Sequence, residues 1–348
     1  MLNMKNKLYE NLKTLRVENG FYRAADGLFY RQFCWLRDLF YESLPSLDME
    51  PNLYVHSYHS LLDYLIRLEN EHGKFSKMIA QPHPKEEWRY LHARVTADTC
   101  KEIHSYWRNK QNDICGELLY GIALGEKKGL KIIRDDKDTK VLNLLIKYME
   151  AIECWHDSES GMWEEGESYG TRSSSVGACI AGLIAIKDLN RGDIIIPDYL
   201  IMKCKITLSQ MLPRETKDRC VDMALLSLIY PFNVVTESQR NEILYNVETQ
   251  LTREYGVIRY HNDMYMNGNY CDPVGNEAQW TMGLLYLSII YAKMNDFDKA
   301  KKYLYSVLDK CPDGKIPEAY INGEPCENKI LGWSNALAYI AIEEIFKI

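Results

Sequence analysis

The sequence has no basic excess. Its 42 Lys+Arg stand against 49 Asp+Glu, a formal net charge of −7. That balance speaks against a nucleic-acid partner, because neutralising phosphates needs a basic surface, and equally against an anionic membrane surface. No run of about 18 apolar residues occurs, so no membrane span is expected. The opening stretch MLNMKNKLYENLKTLRVENG lacks the apolar run and small-residue cleavage site of a signal peptide. Ten cysteines are present but no CxxC pair, and their scatter argues against a zinc or redox site. Without an export signal they read as reduced thiols of a cytoplasmic protein, most of them small core residues. No metal-ligating cluster is seen, so neither a metal nor a cofactor is expected. Convincing strand patterns are nearly absent, and no low-complexity linker or composition shift divides the chain. Residues 1–348 are therefore expected to form one domain.

What the chain does have is helical periodicity almost throughout. The spacing predicts helices over 2–18, 34–45, 52–70, 113–128, 138–155, 174–188, 197–211, 217–230, 238–252, 275–294, 296–310 and 332–346. One exception is GDIIIPDYL, where Ile194–Ile196 suit a short extended stretch before Pro197, itself suited to a helix's first turn. The helices alternate in kind. Odd-numbered ones are amphipathic, as in NLLIKYMEAIECW at 143–155. Even-numbered ones are apolar nearly all round and rich in small residues, as in SSVGACIAGLIAI at 174–186. A striped helix faces water on one side and an all-apolar helix is buried on every side, so the alternation implies two concentric layers.

The connections alternate as well. Even-to-odd links are mostly short, and NDFD at 295–298 is little more than a turn. The odd-to-even links at 19–33, 71–112, 156–173, 253–274 and 311–331 are long. Long loops in a compact domain are usually functional. In an up-and-down ring they all emerge at one end, which makes the expected fold an all-α (α/α)6 barrel, a toroid of inner and outer helices with one elaborated rim. The alternatives are an incomplete toroid and a helical-repeat solenoid, and a solenoid would need a repeat of fixed length, which is not present.

Those loops and the adjoining helix starts hold Trp35, Arg37, Asp38, Trp107, Asp113, Trp163, Glu164, Glu165, Arg259, Tyr265, Glu318 and Trp333. Singly, each has an ordinary explanation. Asp113 suits a helix N-cap, WLRD suits a structural ion pair, and Glu165 suits either a solvated position or one behind the residues that touch substrate. Collected on one rim they suit glycoside cleavage. One carboxylic acid protonates the leaving oxygen, while a second carboxylate on the other side of the sugar activates water or attacks. Tryptophans stack on sugar faces, and Arg–Asp pairs hold hydroxyls in fixed orientation. A carboxyl beside an indole is partly desolvated and its pKa should rise, so Trp163 is expected to keep Glu164 protonated.

At these residues the chain resembles glycoside hydrolase family 15, the glucoamylase family, and the related domain of phosphorylase kinase regulatory subunits. The matching pieces are WLRD (35–38), HARVTADTCKEIHSYWRNKQNDICGE (92–117), GMWEEGESYGTRSSSVGACIAGL (161–183), GVIRYHNDMYMNG (256–268), EAQWTMGLLYLS (277–288) and DGKIPEAYINGE with LGWSNAL (313–337). The resemblance implies an (α/α)6 barrel that hydrolyses terminal α-glucosidic bonds with inversion. Glu164 would be the general acid and Glu318 the general base. Arg37, Asp38, Trp35, Trp107, Asp113, Trp163, Glu165, Arg259, Tyr265, Trp280 and Trp333 would bind substrate. Arg108 stands where the family often has glycine. That departure, and the lack of room for an N-terminal β-sandwich, favour a short oligosaccharide over starch. The other readings are a non-catalytic glucan-sensing domain of phosphorylase kinase type, and another (α/α)6 glycosidase such as a trehalase. Linkage and oligomeric state are not fixed by the sequence.

Overall fold

The computed structural model describes residues 1–348 apart from 104–106, 166–169 and 273. His104, Ser105 and Tyr106 of HARVTADTCKEIHSYWRNKQNDICGE, and residues 166–169 after the WEE triplet, lie outside the described residues. The helices are α1 (Leu2–Leu15), α2 (Leu36–Ser43), α3 (Ser46–Met49), α4 (Pro51–His72), α5 (Lys74–Ala80), α6 (Asp113–Lys127), α7 (Asp136–Ala151), α8 (Ser173–Lys187), α9 (Asp198–Met211), α10 (Glu237–Asn246), α11 (Thr281–Lys293), α12 (Phe297–Leu308) and α13 (Gly332–Phe346).

The two-layer expectation holds. The inner ring runs α2, α6, α8, a 3-10 segment at Met223–Leu228, α11, α13 and back to α2, each element packing on the next. Outside it, α1 packs on α13, α9 on α8, and α12 on α11 and α13. Helices α4 and α7 lie against each other and α6, and α10 covers the 3-10 segment. The sequence alternation has the expected cause. Helix α1 buries Leu8, Tyr9, Leu12 and Leu15 on one stripe, whereas every residue of α2 is buried and α8 and α11 are buried almost throughout.

Small residues on inner helices let backbones approach. A Cβ on Gly116 of α6 would lie 2.1 Å from the Ala178 carbonyl oxygen, and one on Gly182 of α8 would lie 2.2 Å from the Gly116 carbonyl oxygen. The two glycines therefore set the α6–α8 distance, and dispersion contacts across this interface depend on them.

Four expectations need correction. The helix predicted over 217–230 is only the 3-10 segment, because the polar run before Met223 forms a turn and Pro231 follows closely. Ile194–Ile196 form no strand, and Pro197 is the N-cap residue of α9 rather than a helical one. Short strands do exist, all beside the elaborated rim. β1 (Phe33–Trp35) pairs antiparallel with β2 (Arg94–Thr96), and β3 (Gln279–Trp280) pairs with β4 (Ala319–Ile321), which pairs with β5 (Glu324–Pro325). They are too short to show a period-2 pattern. The long 71–112 link also contains a helix, α5. All ten cysteines are free thiols, and only Cys220 and Cys271 are exposed. Among the described residues no helix is long and apolar enough to cross a membrane.

The close crossing is testable. Gly116→Ala drives a methyl into backbone, which cannot swing aside, so the loss should reach or exceed the upper part of the about 1–3 kcal/mol typical of overpacking. Gly192→Ala, with nothing within 4 Å of its Cβ position, should stay within about 0.5 kcal/mol of the parent. Urea unfolding of the two variants measures the contrast, and equal stabilities would contradict it.

Candidate active site

Loops at the rim surround a cavity of about 680 Å³. Trp35, Arg37, Asp38, Trp107, Trp163, Glu164, Glu165, Arg259, Tyr265, Trp280, Glu318 and Trp333 all line it. Asp113 is the exception. It is the first helical residue of α6, not its cap, and lies buried behind Arg37 with Oδ2 3.8 Å from that guanidinium. It supports the cavity floor from inside the ring and is not placed to touch a ligand.

Glu164 ends a tight turn. Its N–H donates to the Gly161 carbonyl at 3.0 Å, and Glu164 itself sits at φ +61°, a left-handed conformation uncommon for residues with a Cβ. Arg108 fixes this turn by donating to the Glu164 carbonyl oxygen at 2.9 Å. The carboxyl receives the Trp35 indole N–H at 2.7 Å, and the Arg37 guanidinium is 3.9 Å away. Burial pushes Glu164 up to about 7, with Arg37, the Trp35 hydrogen bond and Arg94 each pulling the other way. Its desolvation therefore has the expected direction but a different indole. Trp163 turns its N–H to Asp222 at 2.9 Å, which leaves Trp35 as the indole bonded to Glu164.

Glu318 stands just before β4. The backbone here is pinned by Thr281 Oγ1, which donates to the Pro317 carbonyl at 2.6 Å, and by the Glu318 N–H, which donates to the Asn328 carbonyl at 3.1 Å. Its carboxylate accepts from Asn328 Nδ2 at 2.6 Å and from the Tyr30 hydroxyl at 3.3 Å. Burial pushes it up to about 7, against these two hydrogen bonds. Tyr30 is also 2.9 Å from the Tyr265 hydroxyl, and its ring lies 5.0 Å from that of Trp35. It thus joins the surroundings of both glutamates.

Glu165 behaves differently from its neighbour. Burial alone would raise it, but Arg219 grips both carboxylate oxygens at 2.7 and 2.8 Å and the net shift is downward. The solvated reading of Glu165 is corrected: its side chain is 9 % exposed and ion-paired to both Arg219 and Arg172. Opposite, Arg259 is bidentate to Asp263 at 2.6 and 2.7 Å and sits near the rings of Tyr265, Trp280 and Trp163. On the floor, Arg37 Nε is 3.3 Å from Asp38 Oδ1, and the guanidinium lies over Trp333. Burial moves the Asp38 carboxyl up, against the pull of Arg37.

Sequence reasoning missed Tyr30, Arg94, Arg219, Asp222 and Asn328. Tyr30 and Arg94 lie in two of the long links and carried that signal. Arg219 and Asp222 were hidden inside a predicted helix, although RETKDRCVD is too polar to begin an all-apolar inner helix. Among the described residues no group of His, Cys, Asp or Glu is arranged to hold a metal ion.

The fold is that of the (α/α)6 glycosidases. A wild-type glycosidase structure superposes with a TM-score of 0.79 at 18 % identity, covering 99 % of this chain and 96 % of that one. The glucoamylase from Saccharomycopsis fibuligera gives 0.71 at 13 % identity, covering 99 % and 94 %, and a bacterial glucoamylase complexed with acarbose gives 0.71 at 15 %, covering 99 % and 55 %. In sequence, the chain is similar to phosphorylase b kinase regulatory subunit alpha, skeletal muscle isoform, of Rattus norvegicus: 26 % identical over 290 residues, covering 71 % of this chain and 23 % of that protein. The probable regulatory subunit alpha of Caenorhabditis elegans is 28 % identical over 269 residues, covering 66 % and 22 %. The chain spans under a quarter of the length of these curated relatives. No family model matches it. The resemblance expected from the motifs is thus found, its glucoamylase side in the fold and its kinase-subunit side in the sequence.

The Glu165–Arg219 pair predicts an acid-side effect. A carboxyl held below its unfolded value, about 4.3 for Glu, contributes stability that is present above that pH and lost as pH falls through the folded value. Arg219→Met leaves Glu165 with Arg172 alone and Asp222 without its guanidinium, which should cost about 3–5 kcal/mol at neutral pH. The gap from the parent should narrow as pH falls below about 4.3, where the unfolded carboxyl protonates and the parent's ion pair begins to lose its advantage. Thermal melts from pH 7 to pH 3 test this; a gap that stays constant with pH would contradict the ion-pair account.

Proposed function

We propose that residues 1–348 act as an inverting, exo-acting glycoside hydrolase that removes terminal α-linked glucose from short oligosaccharides and releases β-glucose. The observation that carries this reading is the pair Glu164 and Glu318. Two carboxyls from separate loops enter one tryptophan-walled cavity, and burial raises each to about 7. Near neutral pH such a pair readily holds one acid and one base. In the proposed reaction Glu164 gives its proton to the glycosidic oxygen as the C–O bond breaks. Water attacks the anomeric carbon from the opposite face, and Glu318 takes the proton that water releases. Trp35, Trp107, Trp163, Trp280 and Trp333 supply faces for the sugar, and Arg37, Asp38 and Arg259 supply polar edges. Glu165, locked by Arg219, serves as a fixed acceptor for a sugar hydroxyl.

A second reading has its own support. The curated relatives are kinase regulatory subunits, so the cavity would bind a glucan end without cleaving it. Hydrolysis separates the two, and trehalose in the substrate panel tests the third possibility, a trehalase.

A panel of α-linked disaccharides, with the anomer of released glucose followed by NMR, is the direct experiment. β-Glucose is expected first; α-glucose would mean retention and a different mechanism. Base and acid ionise near the same value, so kcat/KM should peak close to pH 7 and fall on both sides. The acid limb follows Glu318 as it protonates and the basic limb follows Glu164 as it loses its proton. Glu164→Gln and Glu318→Gln should each lower kcat by about 10²–10⁴-fold. α-Glucosyl fluoride, whose leaving group needs little protonation, should partly rescue Glu164→Gln but not Glu318→Gln. Equal rescue would overturn the division of roles, and oligosaccharide binding without any hydrolysis would favour the regulatory reading.

A further inference from the structure

Among the described residues Arg94 belongs to no ion pair, unlike Arg37, Arg219 and Arg259. It sits on β2, opposite Trp35 in the β1–β2 register, and is 5 % exposed. Its guanidinium carbon lies 3.8 Å from the ring centre of Trp107, 4.5 Å from Phe33, 5.3 Å from Trp35 and 5.7 Å from Phe29. Four aromatic rings thus surround one cation. Nε and Nη1 are buried with no hydrogen-bond partner among the described residues. A desolvated cation is attracted to a ring face, but the cage neutralises no charge. Burial lowers the Arg94 pKa, and Glu164 is the first of two groups that pull it back, ahead of Tyr30.

We propose that Arg94 is a positioning residue of this site, a caged cation that holds Trp35 and Trp107 as cavity wall and favours the carboxylate that Glu164 becomes after giving up its proton. The Trp35 ring beside Arg94 carries the N–H that bonds Glu164 Oε1, so cation, indole and acid form one chain. When Glu164 protonates the leaving oxygen, a negative charge appears where there was none. Arg37 lies 3.9 Å from that carboxyl, and Arg94 stands behind the Trp35 ring that bonds it. Arg37 is already committed to Asp38 and Asp113, whereas among the described residues Arg94 is in no ion pair with a carboxylate. A charge that is fixed before reaction and interacts only with the charge that develops stabilises the transition state over the ground state. The other groups around Glu164 are Asp38, Tyr30 and Tyr265, with Arg108 on its backbone.

The catalytic half of this inference rests on Glu164 being the acid, while the electrostatic half does not, and the experiment separates them. In the full chain, the Trp35 indole N–H, assigned through Trp35→Phe, reports Glu164 ionisation in ¹H–¹⁵N NMR spectra across pH. Arg94→Met and Arg94→Gln both remove the charge, so either one that folds carries the test. The midpoint of the Trp35 titration should move up in both and stay near the parent in Arg94→Lys. On a cleavable glucoside, loss of charge should lower kcat by roughly tenfold, less than the about 10²–10⁴-fold loss of the acid itself, and move the basic limb of the pH profile up. Arg94→Lys should keep that limb and raise KM, because an ammonium does not stack as a planar guanidinium does. In a Glu164→Gln background, removing Arg94 should cost no further kcat. An unmoved Trp35 midpoint in the neutral variants overturns the proposal. A moved midpoint in a protein that hydrolyses no glucoside would leave the Arg94–Glu164 coupling standing and remove the proposed function.

Discussion

The guanidinium of Arg37 ties the barrel core to the cavity. It stands in the first turn of α2, where five acidic groups come close together. Asp38 and Glu42 are one helical turn apart on α2, and Asp113 and Glu117 are one turn apart on α6, the next inner helix. All four are buried, and Glu164 approaches from above. Burial drives Glu42 and Glu117 well above the ordinary carboxyl range, with Asp38 adding to the shift of Glu42 and Asp113 to that of Glu117. Asp38 and Asp113 face Arg37 directly, and Gln111 accepts from its Nη1 at 3.0 Å. A buried guanidinium with these partners is strongly destabilising to remove, because the carboxylates would be left in the ring without compensation. The floor of the cavity is rigid for the same reason that the inner ring holds together.

The other arginines divide the carboxyls around the cavity into two kinds. Arg219 takes both oxygens of Glu165 and Arg259 takes both oxygens of Asp263, and a bidentate pair of this sort fixes geometry; for Glu165 it also outweighs burial and lowers the carboxyl. Glu164 and Glu318 have no bidentate cation. Their hydrogen bonds come from an indole, an amide and a phenol. These are weaker than a fork of two charged donors, so burial wins for Glu164 and Glu318 and loses for Glu165. Two adjacent glutamates in a single WEE triplet thereby acquire opposite shifts. The turn that separates them, with Gly161 at φ +64° and Glu164 at φ +61°, points one into the Trp35 wall and the other into the Arg219 pair.

The two-layer ring was legible because burial imposes a pattern on helices: an all-round apolar sequence such as that of α8 has nowhere to go but the inside. The rim was legible because long links are where chemistry is carried, and twelve of thirteen marked site residues line one cavity. What escaped had physical reasons too. Strands of two or three residues have no periodicity to read. The segment 217–230 was read as helix from its apolar end, although its polar start carries the Arg219 grip on Glu165. Trp163 was paired with Glu164 because they are adjacent in sequence, yet a left-handed turn sends adjacent side chains apart, and the indole that reaches Glu164 comes from 129 positions away. Asp113 was marked for its place at a helix start, which says nothing about whether the carboxyl faces the cavity or the ring.

The choice between cleaving and sensing turns on what a sugar-binding wall requires. In the proposed reading, tryptophan faces, a bidentate Arg259–Asp263 edge and a locked Glu165 orient a glucose unit. Nothing in that task calls for carboxyls at positions 164 and 318. Amides there would offer a donor and an acceptor at fixed charge, with no proton to lose. Burying carboxyls instead makes stability depend on pH: a folded-state value near 7 means that ionised carboxyl is disfavoured as pH rises from about 4.3. A site that moves a proton to a leaving oxygen and takes another from water needs groups poised near the working pH. Glu164 and Glu318 differ from the raised carboxyls of the ring interior, Glu42 and Glu117, in lining the cavity, which is what the proposed proton transfers ask of an acid and a base.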